Sequence, residues 1–94
     1  FVAVEDGGVI GSVMAGYDGH RGWLYSVAVR SGCRRDGVGT ALVREAERAL
    51  AALGCEKVNL QVRGSNEAVT RFYAKLGYAI EDRVSLGRRL QALP

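Results

Sequence analysis

A short basic turn, Arg34-Arg35-Asp36-Gly37-Val38-Gly39, separates a strand-like run from an amphipathic helical one, and this arrangement constrains the fold more than any other feature. Upstream, Trp23 to Val29 is rich in aromatic and β-branched residues and reads as a strand. Downstream, Val38, Ala41, Leu42, Ala46, Ala49, Leu50 and Leu53 recur at helical spacing. Arg44, Glu45, Glu47 and Arg48 take the other face, and Gly54 supplies a left-handed cap. Lys57 to Val62 then alternates as a strand again. Two strands separated by a helix are expected to run parallel, joined by a right-handed crossover, and ligands bind at the carboxyl ends of such strands.

The turn itself suits an anion. Two glycines let the main chain approach a ligand closely, while the following helix offers unpaired N–H groups and a positive dipole end. Arg34 and Arg35 add full charge. Read this way, the turn is a pyrophosphate cradle; read more plainly, it caps and packs a helix.

Around this centre the chain reads as one domain over residues 1–94. Phe1 to Glu5 and Val9 to Gly16 form a hairpin about Asp6-Gly7-Gly8, and Tyr17 to Gly22 is a loop. Ser65-Asn66 caps a second helix with the apolar stripe Ala68, Val69, Phe72, Tyr73 and Leu76, stopped by Gly77. In the tail, Ala79-Ile80 and Val84-Ser85-Leu86 predict a closing hairpin, with 91–94 frayed. No run approaches the length of a membrane span. Thirteen basic residues are interleaved with ten acids, a pattern that favours a small phosphorylated ligand over nucleic acid. Cys33 and Cys55 lack a Cys-x-x-Cys pattern or a histidine cluster, so no metal is expected. Two reduced thiols and no signal peptide point to the cytoplasm, although a start at Phe1 points to a removed upstream segment.

In order and spacing, Val27-Ala28-Val29, Arg34-x-x-Gly37-x-Gly39, Asn66 and Phe72-Tyr73-Ala74-Lys75-Leu76-Gly77-Tyr78 resemble the GNAT superfamily of acetyl-CoA-dependent N-acetyltransferases, and most of all its bacterial branch. A P-loop lysine and the third glycine of a dinucleotide fingerprint are both missing. The resemblance implies a mixed α/β (α+β) fold: a mostly antiparallel sheet, one parallel strand pair at the cofactor site, and two packed helices. It also implies acetyl transfer to a primary amine of a protein or small molecule by direct attack in a ternary complex. By the same carry-over, Val27, Ala28 and Val29 present backbone groups to the pantetheine arm. The amides of Arg35, Asp36, Gly37, Val38, Gly39 and Thr40 hold the pyrophosphate, with charge from Arg34 and Arg35. Asn66 hydrogen-bonds the pantetheine, and Tyr73 is the general acid that protonates the departing thiolate. From the residues alone, Asn66 is a helix N-cap and Tyr73 a core aromatic.

Two departures stand out. Gln61 occupies a position where several family members carry a glutamate, and a glutamine cannot be a base. The strand and helices that normally precede the opening hairpin are absent, so the chain is either trimmed or completed by a second chain, as in a homodimer. A lysine amine with pKa about 10.4 is almost wholly charged near neutrality, whereas an α-amine at about 7.7–8.0 is not, which favours a low-pKa acceptor when no base is evident. His20, in a polar loop, is read as surface. Two rival readings remain: a non-catalytic CoA-binding or sensing module, and a small basic nucleic-acid-binding domain.

Overall fold

Alternation and turn chemistry produce a four-stranded sheet with two helices in the computed structural model, which describes residues 2–5, 8–30 and 37–92. Strands β1 (Val2–Glu5), β2 (Gly8–Tyr17) and β3 (Gly22–Val29) precede helix α1 (Val38–Ala52); β4 (Val58–Asn59) and helix α2 (Glu67–Lys75) follow, and Leu90–Ala92 forms a 3-10 turn. The sheet order is β1-β2-β3-β4, antiparallel except between β3 and β4, which run parallel through Gly22↔Val58 and Trp23↔Asn59. This is the mixed sheet with one parallel pair that the crossover pattern predicts.

Helix α1 buries Leu42, Val43, Ala46 and Leu50 against Val13 of β2 and Leu24 of β3, and Tyr73 of α2 closes the same cluster. Glycine sets how closely α1 approaches the sheet. A Cβ on Gly22 would lie 2.8 Å from Leu50 Cδ1 and 3.1 Å from Cys55 Sγ, so any side chain there would push the helix away. Both helices end as the sequence predicts. Gly54 (φ 90°) and Gly77 (φ 99°) adopt left-handed conformations, and the amides of Cys55 and Tyr78 reach back to the carbonyls of Leu50 and Tyr73. Each is a Schellman motif.

The loop before β3 is organised by one carboxylate. Asp18 accepts hydrogen bonds from the backbone amides of Arg21 (2.9 Å) and His20 (2.8 Å) and from Trp23 Nε1 (3.1 Å), which hold its pKa at about 2 instead of the usual 3.8. A carboxylate whose folded pKa is depressed stabilises the fold above its unfolded pKa and loses that effect as pH falls through the folded value. Asp18→Asn is therefore expected to lower the thermal midpoint at pH 5, and the gap from wild type should narrow steadily as the pH is taken down to 2. A gap independent of pH would show that the carboxylate charge is not what the three donors recognise.

Three features depart from the sequence reading. The fourth strand, expected over Lys57 to Val62, is limited to Val58–Asn59: Leu60 and Val62 still pack against the core, but their backbones join no ladder. The closing hairpin of the tail does not form: residues 78–89 contain no strand. Ile80 (89% exposed), Val84 (86%) and Leu86 (91%) project into solvent, and side chains tether the segment: Glu81 to Lys57 and Asn59, and Ser85 to Gln61. Third, β3 carries a bulge. Ser12 pairs with Ala28 but Met14 with Tyr25, so β3 has one residue more than β2 across this step. The extra residue reverses the side-chain alternation, and Leu24, Val27 and Val29 consequently all turn toward the core.

Candidate functional site

Past Trp23↔Asn59, β3 and β4 share no further backbone pairs. On its other edge β3 stays paired with β2 as far as Val29, so among the described residues the edge facing β4 has no strand partner from Leu24 onward. The bulge falls inside this open stretch, where it loosens the ladder and turns main-chain groups out of their regular register. Val27 and Val29 pack their side chains against the core while Ala28 is exposed, leaving the strand backbone as the element offered to a ligand.

Helix α1 begins beside the end of this strand. Gly37 is in the left-handed region (φ 74°, ψ 11°) at the N-cap, and among the described residues no side chain caps the helix. The first intrahelical bond runs from the Ala41 amide to the Gly37 carbonyl at 3.0 Å. The amides of Val38, Gly39 and Thr40 therefore have no acceptor within the helix and point out of its positive end. Gly39 is buried, and a Cβ there would lie 3.3 Å from Phe72 Cζ and 3.7 Å from Val29 Cγ2. Its lack of a side chain lets the helix start against both the end of β3 and helix α2. An open strand edge and an open helix end thus lie together, which is the donor set that a long chain ending in phosphates requires. Arg34, Arg35 and Asp36 lie outside the described residues, so of the predicted cradle the structure describes Gly37 to Thr40.

Tyr73 projects from α2 into the core cluster and is 8% exposed. Around the same cluster pack Val27 and Val29 of β3 and Leu60 and Val62 of the segment after β4. Its ring stands edge-on to Phe72 (5.0 Å) and to Tyr78 (5.5 Å). Burial raises its pKa above the usual tyrosine value, keeping the hydroxyl protonated at neutral pH, as a proton donor must be. Among the described residues no group bonds that hydroxyl. Asn66 is exposed and acts as the N-cap of α2, its Oδ1 accepting from the Val69 amide at 3.3 Å. Its capping role is formed, and its Nδ2 has no partner among the described residues. Gln61 is engaged elsewhere, donating to Ser85 Oγ at 2.9 Å.

Sequence reasoning missed two groups near the opening. Asn59, the register partner of Trp23 at the last paired row, donates to Glu81 Oε1 at 2.6 Å while its own buried Oδ1 has no hydrogen-bond partner in the described structure. An asparagine in an alternating strand gives no signal of this. Glu47, placed on the outer face of α1, instead bonds Arg44 and the hydroxyl of Tyr78. The only trace in the sequence is the i,i+3 spacing of the charged pair. Among the described residues no cluster of three or more histidine, cysteine, aspartate or glutamate side chains is arranged to hold a metal, and no helix is long and apolar enough to cross a membrane.

Comparison with known proteins gives the same architecture. Residues 1–78 match the model of the Acetyltransferase (GNAT) family. The chain is 49% identical over 90 residues to an acetyltransferase of Sodalis glossinidius, covering 95% of the present chain but 63% of that relative's length. Among solved structures, an aminoglycoside acetyltransferase from an uncultured soil metagenomic sample superposes with a TM-score of 0.79 at 25% identity, over 95% of this chain and 63% of that one. AAC(6')-Iy, solved with the bisubstrate analogue CoA-S-monomethyl-acetylneamine, has the same fold (TM-score 0.82, 23% identity, 94% of this chain and 66% of that one).

Proposed function

Because the chain belongs to the GNAT acetyltransferase family, we propose that it moves the acetyl group of acetyl-CoA onto a primary amine of a protein or small molecule. The observation that carries this reading is the open edge of β3 beside the uncapped start of α1. In it, the backbone of Val27, Ala28 and Val29 pairs with the amides of the pantetheine arm as an added strand. The amides of Gly37, Val38, Gly39 and Thr40, continuing those of Arg35 and Asp36, hold the pyrophosphate, with Arg34 and Arg35 supplying charge. Asn66 has its Nδ2 left to donate to the same arm.

The chemistry is attack of a neutral amine on the thioester carbonyl, with departure of the CoA thiolate. Main-chain N–H groups at the bulge of β3 stabilise the charge developing on the carbonyl oxygen. Tyr73 hands its hydroxyl proton to the thiolate. Gln61 stands where several family members carry a glutamate and is hydrogen-bonded to Ser85, so this position supplies no carboxylate to take the proton from the amine. The acceptor is accordingly a low-pKa amine, or one whose proton leaves through water. This reading takes residues 1–94 as one acetyltransferase domain working in the cytoplasm, its acceptor wall completed by further residues or a second copy.

Thermal unfolding with acetyl-CoA, followed by thiol release over a panel of amines, tests the reading. Ligand at about 100 times its dissociation constant should add about 2.7 kcal/mol of stability, and release should favour α-amines over matched lysine peptides, after correction for Cys33 and Cys55. The occupied Gln61 favours one alternative, a CoA-binding module without catalysis. Stabilisation by acetyl-CoA with no thiol released from any amine would establish that alternative, and indifference to acetyl-CoA would overturn both.

A further inference from the structure

Helix α2 ends in a latch that the proposed chemistry does not use. The left-handed turn at Gly77 carries the chain back so that the Tyr78 amide donates to the Tyr73 carbonyl at 3.0 Å. The same turn sets the Tyr78 ring edge-on to the Tyr73 ring, with an interplanar angle of 72°. Helix α1 then takes hold of the outer end of that ring: the Tyr78 hydroxyl donates to Glu47 Oε2 at 2.7 Å. Arg44 fixes the carboxylate from its other side, donating to Glu47 Oε1 at 2.8 Å and, with its second terminal nitrogen, to the Leu76 carbonyl at 3.1 Å. Burial, then the hydrogen bond to Glu47 and its negative charge, push the Tyr78 hydroxyl well above the usual tyrosine pKa, so it remains a donor throughout the working range.

The consequence falls on Tyr73. With no described group bonding its hydroxyl, the direction of that hydroxyl is set by the ring, and the ring is held between Phe72 and Tyr78. Phe72 is backed by the start of α1 at Gly39, and Tyr78 by Glu47 one surface further along the same helix. We propose that Tyr78, locked by Glu47 and Arg44, is a positioning residue that fixes the Tyr73 ring so that its hydroxyl faces the departing sulfur. This inference rests on the reading of Tyr73 as the acid. It differs from a packing role because it predicts that removing one oxygen atom from Tyr78, with the ring retained, impairs the proton transfer and not the binding of acetyl-CoA.

The test is a double-mutant cycle on the whole chain with Tyr73→Phe, Tyr78→Phe and the combination, each first checked for a cooperative thermal transition. Tyr78→Phe should lower kcat roughly tenfold, since small misplacements of a reacting group cost up to about a hundredfold, with KM for acetyl-CoA within about twofold of wild type. In the Tyr73→Phe background the same change should cost nothing further, because residues acting through one another are not additive. Should Tyr78→Phe fail to fold, Glu47→Gln takes its place; it keeps an acceptor for the hydroxyl but loses the charge, and should give the same pattern at smaller size. An unchanged kcat for Tyr78→Phe, or an equal loss in both backgrounds, overturns the positioning role alone. If Tyr73→Phe itself turns over at the wild-type rate, the acid assignment fails and the positioning role falls with it.

Discussion

Tyr73→Phe is expected to lower kcat by about 10²–10⁴-fold, the range that a positioned general acid contributes, while leaving KM for acetyl-CoA almost unchanged. The substitution is unusually clean in this fold. Both edge-on contacts, to Phe72 and to Tyr78, are made by the ring and survive in phenylalanine. The hydroxyl that is removed has no hydrogen-bond partner among the described residues, so no buried group is left unsatisfied and the thermal midpoint should move by only a degree or two. A large kinetic loss therefore cannot be charged to unfolding. The pH profile gives a second signature. Transfer through a protonated tyrosine declines once the hydroxyl ionises, and burial places that ionisation above the usual value of 10.0, so the wild-type chain should keep its rate well into alkaline solution. The basic limb should disappear from the residual activity of the variant. A variant that retains wild-type kcat, or one that keeps the limb, would show that another group or water protonates the sulfur.

How much of this was legible in the sequence depends on whether the signal is local. Helix ends were readable, because a left-handed glycine after an apolar stripe dictates its own hydrogen bonds, and Gly54 and Gly77 both close Schellman motifs. Asn66 was readable as an N-cap for the same reason, as was the parallel crossover, which follows from a helix between two strand patterns. The bulge in β3 was not. Trp23 to Val29 reads as one strand from its aromatic and β-branched residues, and only pairing with β2, where Ser12 and Met14 span one residue fewer than Ala28 and Tyr25, reveals the extra position. The early end of β4 and the unpaired tail share that cause: a strand is defined by its pairing with a neighbour, which the strand-like composition at Ile80, Val84 and Leu86 does not by itself supply. The Glu47–Tyr78 contact joins residues 31 positions apart, beyond the reach of any helical pattern.

Gly11→Ala should be strongly damaging for a single added methyl, costing about 1–3 kcal/mol and lowering the thermal midpoint by about 4–8 °C for each kcal/mol. The added Cβ would stand 2.9 Å from Leu42 Cδ1, 3.0 Å from Val38 Cγ1 and 3.1 Å from the Ala28 carbonyl oxygen. None of these neighbours yields easily. Leu42 is 4% exposed within the core, Val38 is branched at the first turn of α1, and the Ala28 oxygen belongs to a backbone laddered to β2 through Ser12. Relief requires α1 to lift away from the sheet at its N-terminal end, where the amides that have no acceptor within the helix lie beside the end of β3. The stability loss should therefore be accompanied by weaker binding of acetyl-CoA, read as a smaller ligand-induced rise in the midpoint than wild type shows at the same concentration. Gly16→Ala in the same strand is the control: its Cβ would meet nothing closer than Tyr25 Cε2 at 3.4 Å, an ordinary contact, and alanine restricts the unfolded chain more than glycine does. It should be neutral or slightly stabilising and leave the ligand response intact. Equal midpoints for the two variants would mean that α1 has room to spare over β2, and that the approach of helix to strand does not set the geometry of the opening.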